Sequence, residues 1–68
     1  MEQTISKIIH ELRTEAGISQ AALAKEIGVT QKAIDFWEKG INEPKASYII
    51  SLAKYFKVST DYLLGIEN

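Results

Sequence analysis

Residues 20–39 read QAALAKEIGVTQKAIDFWEK, and this stretch decides the fold. Glycine is common just past the end of a helix, so Gly28 predicts that one helix spans residues 20–27. A second helix is predicted over residues 31–39. Because only two residues separate Gly28 from this second helix, the second helix must cross the first steeply, as helices joined by a tight turn do.

The second of these helices has two distinct faces. At about 100° per residue, Ile34 and Trp37 define its buried face. Apolar residues of both helices and the turn point into the wedge between them: Leu23, Ile27, Val29, Ile34 and Trp37. Ala24 is the small residue that the crossing needs where the helices touch. The opposite face carries Lys32, Asp35, Phe36 and Lys39, and an aromatic there has little structural reason.

The rest of the chain predicts three more helices. A first helix, capped by Thr4 and ended by Gly17, carries the apolar stripe Ile5, Ile8, Ile9, Leu12 and Ala16. Ser19 and Thr30 cap the two central helices. Pro44 makes residues 41–45 a loop. A fourth helix carries Ile49, Leu52, Ala53 and Phe56, and Ser59 caps a last short helix through Leu64. The sequence predicts an all-α, compact five-helix bundle, one domain over residues 1–68.

Composition excludes several classes of protein. The chain has 68 residues and no cysteine, which rules out disulfides and thiolate metal sites. No apolar stretch is long enough to cross a membrane, and the first residues lack the pattern of a signal peptide, so a cytoplasmic protein is expected. Eight basic and nine acidic residues give a net charge of −1, which by itself does not indicate a nucleic-acid partner.

His10 is the single histidine of the chain. It points away from the apolar stripe of the first helix, and we expect it to be exposed with no acid converging on it. Such a histidine is neither a zinc ligand nor a catalytic base. The sequence also offers no nucleophile and base pair and no glycine-rich phosphate loop. We therefore expect no enzymatic activity, no metal and no cofactor.

Short pieces of sequence between Leu12 and Gly65 occur together in a specific order and spacing. They are Leu12-Arg13, Gly17-Ile18-Ser19-Gln20, Leu23-Ala24, Ile27-Gly28-Val29-Thr30, Ile34, Trp37-Glu38, Gly40, Pro44, Leu52-Ala53, Val58-Ser59 and Asp61-Tyr62-Leu63-Leu64-Gly65. In this combination the chain resembles the phage-repressor-type (lambda-repressor-like, Cro-like, XRE) helix-turn-helix regulators. The resemblance implies a lambda-repressor-like domain that binds operator DNA and places its third helix in the major groove.

The resemblance also implies which side chains contact DNA. Those expected at base edges are Gln31, Lys32 and Phe36, and those expected at phosphates are Gln20, Lys39, Asn42 and Lys45. For Phe36, contact with a thymine methyl competes with a protein contact or a peripheral core position. Asp35 departs from the neutral residue that many members carry there. Its carboxylate repels phosphate unless it contacts cytosine N4 as a further base contact, or pairs with Lys32 or Lys39.

The positions of Arg13 and Glu38 pair in the resembled family. The resemblance therefore implies a structural tie between the first and third helices rather than a DNA contact. The alternative is two independent surface charges.

Several apolar and aromatic residues remain once the core stripes are filled: Tyr48, Ile50, Tyr55, Tyr62 and Ile66. They form either a self-association patch near the last two helices or the scattered apolar exposure of a small domain.

The resemblance predicts a sequence-specific DNA-binding transcriptional regulator, a repressor that acts as a homodimer on a double-stranded, roughly palindromic operator. The alternative is a protein-interaction module of the same fold, such as an antitoxin or co-regulator, which the net charge of −1 favours. A third reading is a fragment of a longer regulator with a C-terminal dimerisation domain.

Overall fold

The computed structural model describes residues 4–66, which form five α-helices and no β-strand within that range. The helices are α1 (Ile5–Glu15), α2 (Gln20–Ile27), α3 (Gln31–Lys39), α4 (Ala46–Phe56) and α5 (Thr60–Leu63). The all-α, five-helix prediction is confirmed. Over residues 4–66, no helix combines the length and the apolar composition needed to span a membrane.

Four of the five helices begin with a hydroxyl cap. The side chains of Thr4, Ser19, Thr30 and Ser59 each accept a hydrogen bond from the backbone N–H three residues further on. Each of these caps satisfies a donor that the helix itself leaves unpaired. Helix α4 differs, because its N-cap is Lys45 and no side chain caps its first turn.

The tight turn between α2 and α3 depends on backbone geometry at Gly28. This residue adopts the left-handed conformation with φ of 85°. Its N–H and that of Val29 both donate to the carbonyl of Ala24, at 2.8 and 2.9 Å, which closes the end of α2. At the end of α4 the left-handed position is taken by Lys57, with φ of 59°. A side chain there carries a steric cost that glycine avoids.

The core takes one fully buried side chain from every helix. These are Ile9, Leu23, Ile34, Leu52 and Leu63, in chain order from α1 to α5. Further buried apolar residues lie around them, among them Ile8, Ala24, Trp37 and Ala53. Burial of apolar surface is the main term that holds so small a domain together.

Two sequence expectations about apolar residues are wrong. Ala16 does not continue the stripe of α1, because it lies at the C-cap of that helix and is exposed. Tyr48 is not left over from the core: it is half-buried, and its ring centroid lies 5.6 Å from that of Trp37. By contrast Ile50, Tyr55, Tyr62 and Ile66 are exposed as expected, together with Ile41 and Leu64.

The packing holds α3 between two partners, since α1 and α2 both contact it. Ile34 and Trp37 face inward, as the sequence predicts, with 0% and 5% of their surface exposed. Gln31, Lys32 and Lys39 are exposed on the outer side of α3, and Asp35 and Phe36 are half-buried there.

Candidate nucleic-acid interface

The outer face of α3 begins with polar residues and carries an aromatic ring at its middle. Gln31 and Lys32 are exposed, and Phe36 is half-buried. The ammonium of Lys32 lies 5.6 Å from the centre of the Phe36 ring, which is within the range of a cation–π contact. Phe36 is not among the side chains packed against the core. This end of α3 therefore offers hydrogen-bonding tips and one apolar ring to a partner.

Asp35 lies on the same helix, and both of its carboxylate oxygens are engaged. Lys39 Nζ is 2.9 Å from Oδ2, and Gln20 Nε2 donates to Oδ1 at 3.2 Å. The hydrogen bonds from Lys39 and Gln20 lower the pKa of Asp35. Of the partners considered for this carboxylate, the structure places Lys39 against it. The ion pair is exposed, with 62% of the Lys39 side chain and 31% of the Asp35 side chain accessible.

Arg13 and Glu38 meet as a two-pronged pair between α1 and α3. Arg13 Nε donates to Glu38 Oε2 at 2.6 Å, and its Nη2 donates to Oε1 at 3.0 Å. The third donor, Nη1, reaches the carbonyl of Ile18 at 2.9 Å. Only 13% of the Arg13 side chain and 5% of the Glu38 side chain are exposed. Two parallel charge-assisted bonds make this the strongest polar tie described between helices.

Burial and hydrogen bonding oppose each other at Glu38. Burial raises the pKa of its carboxyl, but hydrogen bonds from Arg13, His10 and Gln20 outweigh it, so the pKa lies below its usual value. The hydrogen bond to Glu38 raises the pKa of Arg13, although burial opposes the rise. Glu38 is thus an anion that the fold stabilises.

The expectation that no acid converges on His10 is wrong. Its Nδ1 lies 3.0 Å from Glu38 Oε1. An ionised carboxylate only accepts, so Nδ1 must carry the hydrogen and donate it. The 3.4 Å approach of Arg13 Nη2 to the same nitrogen is then a contact between two donors. Within residues 4–66, no group of three potential ligands forms a metal site around this histidine.

Gln20 links the two carboxylates of α3. Its Nε2 donates to Asp35 Oδ1 at 3.2 Å and to Glu38 Oε1 at 3.1 Å. An amide nitrogen has two N–H groups, and both are engaged in these bonds. The resemblance implied a phosphate contact for Gln20, whereas in the free chain its two N–H groups donate to Asp35 and Glu38.

We call the six side chains joined in this way the α3 carboxylate network: His10, Arg13, Gln20, Asp35, Glu38 and Lys39. Sequence reasoning missed the place of His10 and the double role of Gln20. One signal was present, because His10 and Arg13 are three residues apart and share a face of α1. A partner for Arg13 therefore also lay within reach of His10.

The remaining expected contact residues lie in the loop between α3 and α4. Asn42 and Lys45 are exposed, and Lys45 is the N-cap of α4. They line an open groove of about 450 Å³ together with Trp37 and Tyr48. Lys45 therefore stands where the first N–H groups of α4 lack a side-chain cap, a favourable position for an anion.

Comparison with known proteins agrees with this geometry. A family model described as "Helix-turn-helix" matches residues 9–63. This confirms the resemblance drawn from the sequence.

Individual relatives are regulators of transcription by name. The chain is 39% identical over 62 residues to the repressor protein C2 of Salmonella phage P22, covering 91% of this chain and 29% of that protein. It is 29% identical over 65 residues to the HTH-type transcriptional regulator ImmR of Bacillus subtilis (strain 168), covering 96% and 51%. The chain thus spans only part of the length of these relatives.

A solved structure extends the comparison to three dimensions. The crystal structure of the P22 c2 repressor in complex with synthetic operator 9T superposes with a TM-score of 0.89 at 37% identity. The superposition covers 96% of this chain and 98% of that chain. The whole five-helix arrangement is therefore shared with the P22 protein.

Proposed function

Because this chain belongs to the helix-turn-helix family whose model matches residues 9–63, we propose that it is a sequence-specific DNA-binding transcriptional regulator, and specifically a repressor. The P22 relative is a repressor that was crystallised in complex with a synthetic operator. The ligand proposed for the present chain is likewise double-stranded operator DNA. The proposal includes no catalytic step, and the chain would act on DNA in the cytoplasm.

The observation that carries this proposal is the orientation of α3. Its apolar residues Ile34 and Trp37 are buried in the core. Gln31, Lys32 and Phe36 therefore lie on the outer side of the helix. A major groove about 12 Å wide admits one helix, whose side chains meet base edges there. Glutamine suits adenine, lysine suits guanine, and an aromatic ring suits a thymine methyl. We propose these three residues as the base-reading set.

Phosphate contacts would fix the position of α3 in the groove. Asn42 and Lys45 are exposed at the start of α4, and its uncapped N–H groups favour an anion. Gln20 and Lys39 would join them once released from Asp35. Asp35 itself would read a base only after losing these two partners, so we rank it below the other base contacts.

We further propose that the chain binds its operator as a homodimer. Tyr62, Leu64 and Ile66 expose 39%, 44% and 69% of their surface in or just after α5, and Ile50 exposes 48% on α4. Exposed apolar surface of this amount on the last two helices of a small domain favours a contact between copies. Two bound copies would require half-sites about one helical turn, 10–10.5 bp, apart.

The test is selection of bound sites from a random DNA pool, followed by binding measurements on the selected and random duplexes. Gln31→Ala should cost about 1–3 kcal/mol on the selected site and almost nothing on random DNA. Lys45→Ala should weaken both duplexes alike and lower the salt slope by about one per subunit. A pool that yields no enriched site would refute the proposal.

A protein-interaction module of the same fold is the second candidate. It is favoured by the ion pair on α3, since Asp35 neutralises Lys39 and leaves Lys32 as the other cation of this helix. If Gln31→Ala and Lys45→Ala behave identically on selected and random DNA, α3 does not read bases. This second candidate would then replace the first.

A further inference from the structure

We propose that Asp35 is an internal substitute for DNA phosphate, which occupies Gln20 and Lys39 in the free chain and so weakens binding to random DNA. The inference rests on the proposed function, since it concerns how that interface chooses between sites. Asp35 would thus be a positioning residue that raises specificity.

The geometry shows what the carboxylate occupies. One oxygen faces the ammonium of Lys39 at 2.9 Å, and the other accepts from Gln20 at 3.2 Å. A carboxylate and two oxygens of a phosphate are alike in that both accept charge-assisted hydrogen bonds from these two donors. A phosphate that approaches α3 must therefore displace Asp35 before it gains either donor.

Burial decides which of the two α3 carboxylates can be displaced. The pair between Asp35 and Lys39 is open to water on both sides, so its opening is easy. Glu38 is only 5% exposed and is held by Arg13 on two bonds. When the bonds of Asp35 to Lys39 and Gln20 break, Gln20 keeps its bond to Glu38 and remains positioned at the start of α2. The release is thus local and leaves the bundle intact.

The consequence falls mainly on random DNA. Non-specific binding comes almost entirely from neutralised phosphates, and each one adds about 0.9 to the salt slope. With Lys39 held by Asp35, the interface meets random DNA with one cation fewer per subunit. On an operator, base contacts by α3 fix the helix against the phosphates and offset the displacement of Asp35. The carboxylate would therefore widen the gap between operator and random DNA.

The experiment compares Asp35→Asn with Glu43→Gln, which removes the same charge from the exposed loop after α3. Binding of each chain to random duplex and to the selected operator is measured across a range of salt. Asp35→Asn should steepen the random-DNA slope by about 0.9 per subunit, and the ratio of operator to random affinity should fall. Glu43→Gln should change the slope by less than half as much.

A double-mutant cycle separates the effect of occupying Lys39 from the simple loss of a negative charge at Asp35. In a Lys39→Ala background, Asp35→Asn should no longer steepen the slope. An Asp35→Asn effect that equals that of Glu43→Gln, or that survives Lys39→Ala, would overturn the inference. If instead the wild-type chain binds neither duplex, the proposed function itself fails, and the two failures are distinguishable.

A second measurement uses the wild-type chain and requires no variant to fold. Side-chain NMR signals of the Gln20 amide and the Lys39 ammonium are followed as DNA is added. Both should move on the operator and remain near their free positions on saturating random duplex. Equal displacement on both duplexes would show that random phosphates already replace Asp35, which contradicts the proposal.

Discussion

Helix α3 carries two carboxylates three residues apart, and they behave differently although both accept a hydrogen bond from Gln20. Glu38 faces α1, and only 5% of its side chain is exposed. Arg13 donates two hydrogen bonds to its carboxylate. Asp35 faces outward with 31% exposed and pairs with a lysine that is 62% exposed. The same chemistry on one helix is thus buried on one side and accessible on the other.

The difference teaches that burial, rather than the presence of an ion pair, assigns the role. A buried charge that loses its partner has no water to replace it, so the pair becomes part of the fold. An exposed pair exchanges its partner for water or for another ion at little cost. Glu38 therefore ties α1 to α3, and Asp35 remains available to compete with a ligand.

The largest expected effect comes from breaking the buried side. Arg13→Ala should destabilise the chain by about 2–3 kcal/mol, because Glu38 is left semi-buried without its main partner. Urea or thermal unfolding followed by circular dichroism measures this. The control is the double variant Arg13→Met with Glu38→Leu, which should recover much of the loss. Single variants that unfold like the wild type would contradict the tie.

Acid should weaken the same pair of Arg13 and Glu38, with a smaller loss of unfolding free energy. The pKa of Glu38 is lower in the fold than its ordinary 4.5, so the folded chain binds fewer protons than the unfolded chain. Its contribution is complete above about that ordinary value and is lost as the pH falls through the folded pKa. Asp35, whose pKa is also lowered from 3.8, acts in the same direction but contributes far less, because its ion pair with Lys39 is exposed to solvent. The loss should be smaller than in Arg13→Ala, since a protonated carboxyl still accepts hydrogen bonds.

The measurement is unfolding free energy between pH 6 and pH 2, which is about the range over which such carboxylates titrate. The double variant Arg13→Met with Glu38→Leu lacks the buried carboxyl, so its stability should fall less steeply in acid. Parallel acid slopes for the two chains would show that Glu38 contributes nothing to the pH dependence.

The sequence predicts the helix that carries these two carboxylates, but it does not predict all of their partners. The ends of α2 and α3 follow from local rules, because Ser19, Thr30 and Gly28 act on residues within one turn of themselves. The inward face of α3 follows from helical periodicity. These are short-range properties that the chain carries in its spacing.

The inner partners of the network do not follow from spacing. His10 meets Glu38 across 28 positions of sequence, and Gln20 meets it across 18. Such contacts depend on how whole helices are placed and on the rotamers of long side chains. The resemblance implied the position of Gln20 in the interface, but gave no information on which group its amide binds in the free chain. The roles of Gln31, Lys32, Phe36 and Asp35 toward DNA stay predictions.

Gln20 sharpens the comparison because it binds both carboxylates. Gln20→Ala should cost about 1.5 kcal/mol, the low end for a hydrogen bond to a charged group, mainly through the lost bond to buried Glu38. It should also raise the pKa of both Asp35 and Glu38, since their hydrogen bonds from Gln20 lower those values. Unfolding and carboxyl NMR titration measure the two effects.

The chain supplies a matched control for this variant. Gln31 is the first residue of α3, as Gln20 is of α2, and it also follows a hydroxyl cap, but it is exposed. Gln31→Ala should leave stability unchanged within error. Equal losses for the two alanine variants would mean that a general effect of replacing glutamine at the first position of a helix, rather than the bonds to the carboxylates, explains the result, because alanine itself has the higher helix propensity.

The smallest expected effect on stability comes from the exposed side. Asp35→Asn removes the charge but keeps the shape and an oxygen that accepts from Gln20, so the thermal midpoint should not change measurably. Glu38→Gln makes the identical chemical change one turn away and should lower the midpoint clearly, because Arg13 then faces a neutral group in a buried setting. The two variants are compared in one thermal series at neutral pH. Equal midpoints would show that burial does not separate the two carboxylates. An unchanged midpoint for Asp35→Asn together with a steeper salt slope on random DNA would place the whole effect of Asp35 at the interface, since the fold itself would then be indifferent to this charge.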